Sequence, residues 1–275
     1  MTIKHTVHHL SNGQTIPALG FGTWELRGET ATQSVVDALE CGYRLIDTAR
    51  IYGNEKEVGE GIRASGLPRE EIFVTTKLWN EDQGYDSTRR AFETSLKTLG
   101  FDYLDLYLIH WPATSRRNLS WRALVDLYKE GLIRSIGVSN YTVRHLTELS
   151  KDSEQLPIVN QVEFHPFIYN QQKDLLNYCY DNKILVEAYS PLSRGTKSQN
   201  ATVSKIAQKY KVKPTQILLR WCIQHGTVPL PRSSNKDHIR ENFDVFSFEL
   251  DPEDMSALNS ISNGERVTWD PESMQ

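Results

Sequence analysis

A short apolar run, a polar turn and a stretch of helix length follow one another repeatedly along this chain of 275 residues. Candidate strands fall near 18–23, 43–47, 72–77, 104–110, 133–138, 158–162, 184–189 and 227–230, with helical patterns at 30–40, 55–64, 87–98, 121–129, 143–149, 173–181 and 201–210. A strand followed by a helix re-enters the sheet parallel to its predecessor, because the crossover carries the chain back to the end it left. Eight such units close into a barrel, and about 250 residues suffice for one. The sequence therefore predicts an α/β fold, a single-domain (β/α)8 TIM barrel over 1–275, since no Pro-, Gly- or Ser-rich linker divides the chain. Before the first unit, alternation around Ser11-Asn12-Gly13 predicts an N-terminal β-hairpin with a two-residue turn.

An open doubly wound sheet is the rival architecture, and it normally carries a glycine fingerprint directly after its first strand. Here Gly20-Phe21-Gly22-Thr23-Trp24-Glu25 lacks that pattern. The run Gly59-Glu60-Gly61-Ile62-Arg63-Ala64 matches it, but within a charged helical stretch rather than at a strand-to-helix turn, and reads as a chance match.

The formal net charge of −4 argues against a broad nucleic-acid or membrane-surface footprint. Met1 to His9 lacks the apolar stretch of a signal peptide, and no later run approaches the ~18 residues of a membrane span, so a cytoplasmic protein is expected. The sequons at Asn118, Asn140 and Asn200 would then carry no glycan. Cys41, Cys179 and Cys222 form no C-x-x-C pair and no zinc spacing, which predicts buried free thiols and no metal.

Four polar residues stand out in the first 110 positions: Asp47, Tyr52, Lys77 and His110. Asp47, Lys77 and His110 lie at or just beyond the ends of apolar runs, so consecutive parallel strands would bring them to one face of the barrel. A phenol, with a pKa near 10, is a poor proton donor at neutral pH unless something favours its ionised form. Protonated Lys77 would supply that bias, and Asp47 would keep Lys77 charged and in place. His110 would steer a substrate oxygen toward Tyr52. The set suits carbonyl reduction, and because side chains cannot donate hydride, a nicotinamide cofactor is required. Taken singly, each residue also reads as a strand cap, a surface charge or a structural histidine.

A second region, Val228 to Asn242, ends an apolar strand at proline and continues through Arg232, Ser233, Ser234 and Asn235 into a helical stretch. Free N–H groups, hydroxyls and a guanidinium make an anion site, in the loop where barrels often bind phosphate. An ordinary helix cap beside a surface arginine is the plainer reading.

Together the motifs resemble the aldo-keto reductase family, from Ile16 to about Leu250. The resemblance is carried by Gly42 to Ala49 with Tyr52-Gly53-Asn54-Glu55, Thr76-Lys77-Leu78-Trp79, Leu108-Ile109-His110-Trp111-Pro112, Ile136-Gly137-Val138-Ser139-Asn140, Asn160-Gln161-Val162-Glu163 and Ala188-Tyr189-Ser190-Pro191-Leu192. It implies an NADPH-binding barrel with Tyr52 as general acid/base and Asp47, Lys77 and His110 as its partners. By the same resemblance, Ser139, Asn140 and Gln161 hold the nicotinamide carboxamide and Tyr189 stacks on the ring. Gly22, Thr23 and Asp47 lie against the cofactor, with Ser190 and Leu192 near its pyrophosphate. Arg232, Ser233, Ser234 and Asn235 surround the 2′-phosphate, and Glu241 and Asn242 face the adenine. Trp24, Trp79 and Trp111 wall the substrate pocket beside Tyr52 and His110.

Two departures from the family pattern matter. His238 stands where the family often has arginine, which predicts weaker 2′-phosphate discrimination and some NADH use. The segments after His110 and Asn242 are short, which predicts an open pocket, with Trp269 as one wall or as a loosely packed tail. The expected activity is NADPH-dependent reduction of aldehydes, α-dicarbonyls or keto-sugars, by a protein that is a monomer by default. Two other readings remain: a Schiff-base lyase using Lys77, and a redox-sensing or scaffold barrel that binds NADP(H) with little turnover.

Overall fold

Residues 6–113, 115–195 and 200–274 are described by a computed structural model. Met1 to His5 and Gln275, part of the predicted 1–275 span, lie outside the described residues. Strands β1 (Val7–His9) and β2 (Thr15–Pro17) form the antiparallel hairpin. Its turn differs from the prediction. Leu10 N–H donates to Gln14 O at 2.9 Å across a three-residue loop in which Gly13, at φ +84°, adopts the left-handed conformation. Asn12 instead reaches across to Arg134 O at 2.9 Å and Ser135 Oγ at 3.2 Å, which ties the hairpin to the barrel floor.

Eight parallel strands follow in chain order: β3 (Phe21–Gly22), β4 (Leu45–Asp47), β5 (Phe73–Leu78), β6 (Leu106–Ile109), β7 (Ile136–Ser139), β8 (Val159–Glu163), β9 (Leu185–Tyr189) and β10 (Val228–Leu230). The seam between first and last strands is closed by Gly20 N–H to Pro229 O and Gly22 N–H to Pro231 O, both 3.0 Å. Two prolines are tolerated there because the seam asks them only for carbonyls. These bonds and the strand order exclude the open doubly wound sheet.

The surrounding helices are α1 (Gly28–Cys41), α2 (Glu55–Ala64), α3 (Tyr85–Leu99), α4 (Arg117–Lys129), α5 (Val143–Asp152), α6 (Tyr169–Asp181), α7 (Ala201–Tyr210), α8 (Pro214–Gln224), α9 (Lys236–Phe243) and α10 (Pro252–Ser260). Helix α8 is absent from the sequence-based set. It buries Gln216, Ile217, Leu218, Leu219, Trp221 and Cys222, so it shows little amphipathic stripe. Pro214 at its first turn is the start signal that marks it.

The glycines of the G-x-G-x-x-A match serve packing. A Cβ on Gly59 would stand 2.1 Å from Leu99 O, and one on Gly61 would stand 2.8 Å from Thr32 O, so α2 lies hard against α3 and α1. All three cysteines are free; Cys179 and Cys222 are buried as expected, but Cys41, in the last turn of α1, is only half-buried. Among the described residues no helix is long and apolar enough to cross a membrane.

Candidate active site at the C-terminal ends of the strands

Asp47 closes β4, Lys77 is the penultimate residue of β5, and His110 directly follows β6. Tyr52 ends a short 3-10 turn, Arg50–Tyr52, on the loop after β4. Asn54 pins this loop by donating to Thr23 O at 2.8 Å and Leu26 O at 3.0 Å and accepting Thr48 Oγ1 at 2.7 Å. The four side chains converge. Lys77 Nζ donates to Asp47 Oδ1 at 2.7 Å, to Thr48 O at 2.8 Å and to Tyr52 Oη at 3.4 Å. The His110 ring meets Tyr52 edge-on at 5.8 Å between centroids.

Lys77 is fully buried. Burial opposes its charge, but Asp47, Tyr52 and Glu187 outweigh that and hold the ammonium above its ordinary pKa. His110 is pushed well below its usual value by burial and then by Lys77, so the imidazole is neutral at pH 7. Its Nδ1 is buried without a hydrogen-bond partner among the described residues. For Tyr52 the balance differs from the sequence-based expectation. Burial raises its pKa, Lys77 pulls it down and Asp47 adds to the rise, leaving the phenol above its ordinary value. Tyr52 is thus a protonated donor whose phenolate Lys77 partly stabilises. Such an arrangement can protonate an oxygen atom on which negative charge develops.

Residues complementary to a carboxamide and an aromatic ring lie on the adjoining strands. Ser139 Oγ donates to Gln161 O at 2.8 Å and accepts Asn140 Nδ2 at 3.0 Å. Asn140, at φ +64°, also donates to His110 O at 3.0 Å and accepts the Tyr189 hydroxyl at 2.7 Å. Gln161 Nε2 bridges Asp47 Oδ2 and Glu187 Oε2, each at 2.8 Å. This donor and acceptor set, with half-buried Tyr189 beside it, fits a nicotinamide.

Gly22 and Thr23 sit at the β3 end; a Cβ on Gly22 would stand 3.0 Å from Leu230 O, and the Thr23 hydroxyl is spent on Asp47 O at 2.9 Å. Ser190, at φ +49°, and Leu192 are half-buried after β9.

After β10, Arg232 extends to Glu25 Oε2 at 2.6 Å, an exposed pair linking the β3 and β10 loops. Glu25 itself sits at φ +64°. Asn235, expected at a phosphate, is the N-cap of α9, its Oδ1 accepting Asp237 and His238 N–H at 2.8 and 3.1 Å. Ser233 Oγ accepts Asn235 N–H at 3.0 Å. Ser234 and His238 are exposed, Glu241 is half-buried and Asn242 is buried. Guanidinium, hydroxyls and a capped helix start remain suited to a phosphate.

The expected aromatic wall is only partly assembled. Trp79 meets His110 edge-on at 5.3 Å, and Trp111 packs against Trp269 at 5.8 Å. Trp24 is engaged elsewhere, with the Arg194 guanidinium 4.6 Å over its ring. The tail carrying Trp269 is anchored rather than loose. Glu163 accepts Val267 N–H at 2.7 Å, Thr268 N–H at 3.2 Å and the Thr268 hydroxyl, and that hydroxyl also lies 3.0 Å from the Tyr189 hydroxyl. Glu163 and Glu187 are the residues that sequence reasoning passed over. For Glu187 the signal was a carboxylate in the middle of a largely apolar strand, Leu185–Tyr189; Glu163, at the end of β8 after Asn160 and Gln161, carried no such contrast.

A separate concavity of about 600 Å³ lies on the hairpin side between α1 and α9. Its Lys236 is already paired with Asp37 at 2.9 Å and Glu40 at 3.0 Å, and it holds none of the four converging residues.

The model of the Aldo/keto reductase family matches residues 18–263. The chain is 50% identical to the glyoxal reductase of Bacillus subtilis (strain 168), over 99% of this chain and 98% of that one. Among solved structures it resembles MGS-M4, an aldo-keto reductase from a Medee basin deep-sea metagenome library, at TM-score 0.94 and 46% identity, over 98% and 99% of the two chains. It also resembles a Bombyx mori aldo-keto reductase solved in complex with NADP, at TM-score 0.90 and 38% identity, over 97% and 96%. The chain belongs to the aldo/keto reductase family and is an oxidoreductase.

Proposed function

We propose that this protein, acting as one barrel domain, reduces small aldehydes and α-dicarbonyls to alcohols with NADPH, and that Tyr52 supplies the proton. The observation that carries this reading is the Tyr52 hydroxyl 3.4 Å from a buried, charged Lys77 and beside a neutral His110. The relationship to a glyoxal reductase favours small dicarbonyls within the class. Ser139, Asn140, Gln161 and Tyr189 would hold the nicotinamide, and Arg232, Ser233, Ser234 and His238 the 2′-phosphate end. Bound there, NADPH supplies hydride to the carbonyl carbon.

The protein groups manage the oxygen. Neutral His110 donates an N–H to it and fixes its direction toward Tyr52. As negative charge builds, the Tyr52 proton transfers, because an alkoxide is a far stronger base than a phenolate. Lys77, held charged by Asp47, stabilises the phenolate until it is reprotonated. Trp79, Trp111 and Trp269 offer apolar surface to the rest of a small substrate.

A Schiff-base role for Lys77 needs a neutral amine, and Asp47 at 2.7 Å opposes that. The intact proton-donor constellation argues against a barrel that only senses or scaffolds. Tyr52→Phe keeps the ring and removes the proton. With methylglyoxal as substrate, NADPH consumption should fall by about a thousandfold or more while NADPH still quenches tryptophan fluorescence. Retained turnover would remove Tyr52 from its role.

A further inference from the structure

Glu187 lies in the middle of β9 with no exposed surface. Across the β8–β9 ladder it faces Gln161, whose single amide nitrogen serves both Glu187 and Asp47. Asp47 in turn accepts Lys77 Nζ. The other Glu187 oxygen, Oε1, is buried without a hydrogen-bond partner among the described residues.

On the opposite side, β10 presents apolar Val228. Glu163, farther along β8, is spent on His165 and the tail. The charged groups acting on Glu187 are therefore Asp47 from β4 and Lys77 from β5, with Tyr52 and His110 neutral beyond them. Two buried carboxyl groups share one ammonium, and buried charge is costly unless it is matched.

We propose that Glu187 is a positioning residue that responds to the charge of the nicotinamide through Gln161, keeping its proton beneath a reduced ring and losing it beneath an oxidised, cationic one. The inference rests on the cofactor reading above. Burial, and then the negative charge of Asp47, raise the Glu187 carboxyl to about 8, so it is mainly protonated at pH 7 in the cofactor-free protein. A cationic ring beside Gln161 is the missing positive charge and lowers that pKa; a neutral ring leaves it in place. On NADP+ binding the carboxyl O–H bond breaks and the proton goes to solvent, while Glu187 is left as carboxylate. No electrons move. By linkage, NADP+ affinity rises with pH up to about 8, whereas NADPH affinity gains nothing from Glu187.

Isothermal titration of the wild-type protein at pH 7 with NADP+ and with NADPH, each in two buffers of different ionisation enthalpy, counts the protons released. Groups around the 2′-phosphate see the same phosphate in both titrations and cancel in the difference. His110 is already neutral and releases nothing. NADP+ is expected to release roughly half to one proton more than NADPH. In Glu187→Gln that excess disappears, and at pH 8.5 NADP+ binding weakens on the order of tenfold relative to NADPH.

Equal release for both nucleotides in the wild type, or an excess that survives in Glu187→Gln, overturns the inference and leaves the cofactor reading standing. Failure of either nucleotide to bind the wild type overturns the cofactor reading itself. Equal release in the wild type overturns the inference even if the variant does not fold.

Discussion

At the scale of single residues, Lys77 does two things that a pair of substitutions can separate. It sets the Tyr52 environment, and it neutralises Asp47 inside the barrel. Lys77→Met keeps much of the volume but leaves a buried carboxylate without its ammonium, a loss of about 3–5 kcal/mol for a broken buried pair. Both the urea midpoint and carbonyl turnover should fall, and Asp47→Asn in the same chain should restore the midpoint without restoring turnover. A restored turnover would mean that Lys77 is only structural. Arg232 is the second residue worth isolating. Its guanidinium is already engaged by Glu25, but an exposed pair is worth about 0–1 kcal/mol, so under the proposed cofactor reading a phosphate carrying nearly two charges would displace the carboxylate. Arg232→Ala should raise the KM for NADPH about tenfold and leave that for NADH nearly unchanged. Equal rises for both would reduce the arginine to a structural link.

Among elements, the α1–α2–α3 face shows how a motif can mislead. The glycines at 59 and 61 match a dinucleotide fingerprint by spacing, yet they lie inside α2, where missing side chains let helix backbones touch. Replacing a helical glycine by alanine gains about 1 kcal/mol of propensity. At Gly59 the new Cβ would stand 2.1 Å from a backbone carbonyl that cannot rotate away. Overpacking costs typically about 1–3 kcal/mol, and more where backbone is the obstacle. Gly59→Ala should therefore lower the melting temperature, and an unchanged or higher value in a thermal scan would refute the packing account. Helix α8 teaches the converse. It was hidden because nearly every side is apolar, and only Pro214 announced it.

For the whole molecule, the buried charge cluster ties stability to pH. Glu187 is raised to about 8 in the folded barrel from an ordinary value of 4.5. Between those values the folded state binds more protons than the unfolded state, so stability falls as pH rises and levels off above about 8. Lys77 acts at the alkaline end, because its raised pKa contributes stability that is lost only as pH climbs through that value. Glu187→Gln removes the first effect alone. Its melting temperature should match the wild type near pH 5 and exceed it near pH 8.5, and an equal gain at both would exclude titration of Glu187 as the cause.

The alternation of apolar runs and amphipathic stretches was enough to reveal the barrel, because local burial leaves a local period in the sequence. The residue types at the strand ends were legible for the same reason: a carboxylate, an ammonium and an imidazole are conspicuous beside apolar runs. What they do to one another was not. Lys77 meets Asp47 across 30 positions, Gln161 meets Asp47 across 114, and Arg232 meets Glu25 across 207. The phenol of Tyr52 rises rather than falls because desolvation sums atoms from many segments, and no sequence period records that sum. Glu163, which anchors the tail across 104 positions, and Glu187, which shares the Gln161 amide with Asp47, acquired their partners only when the chain folded and brought segments distant in sequence together.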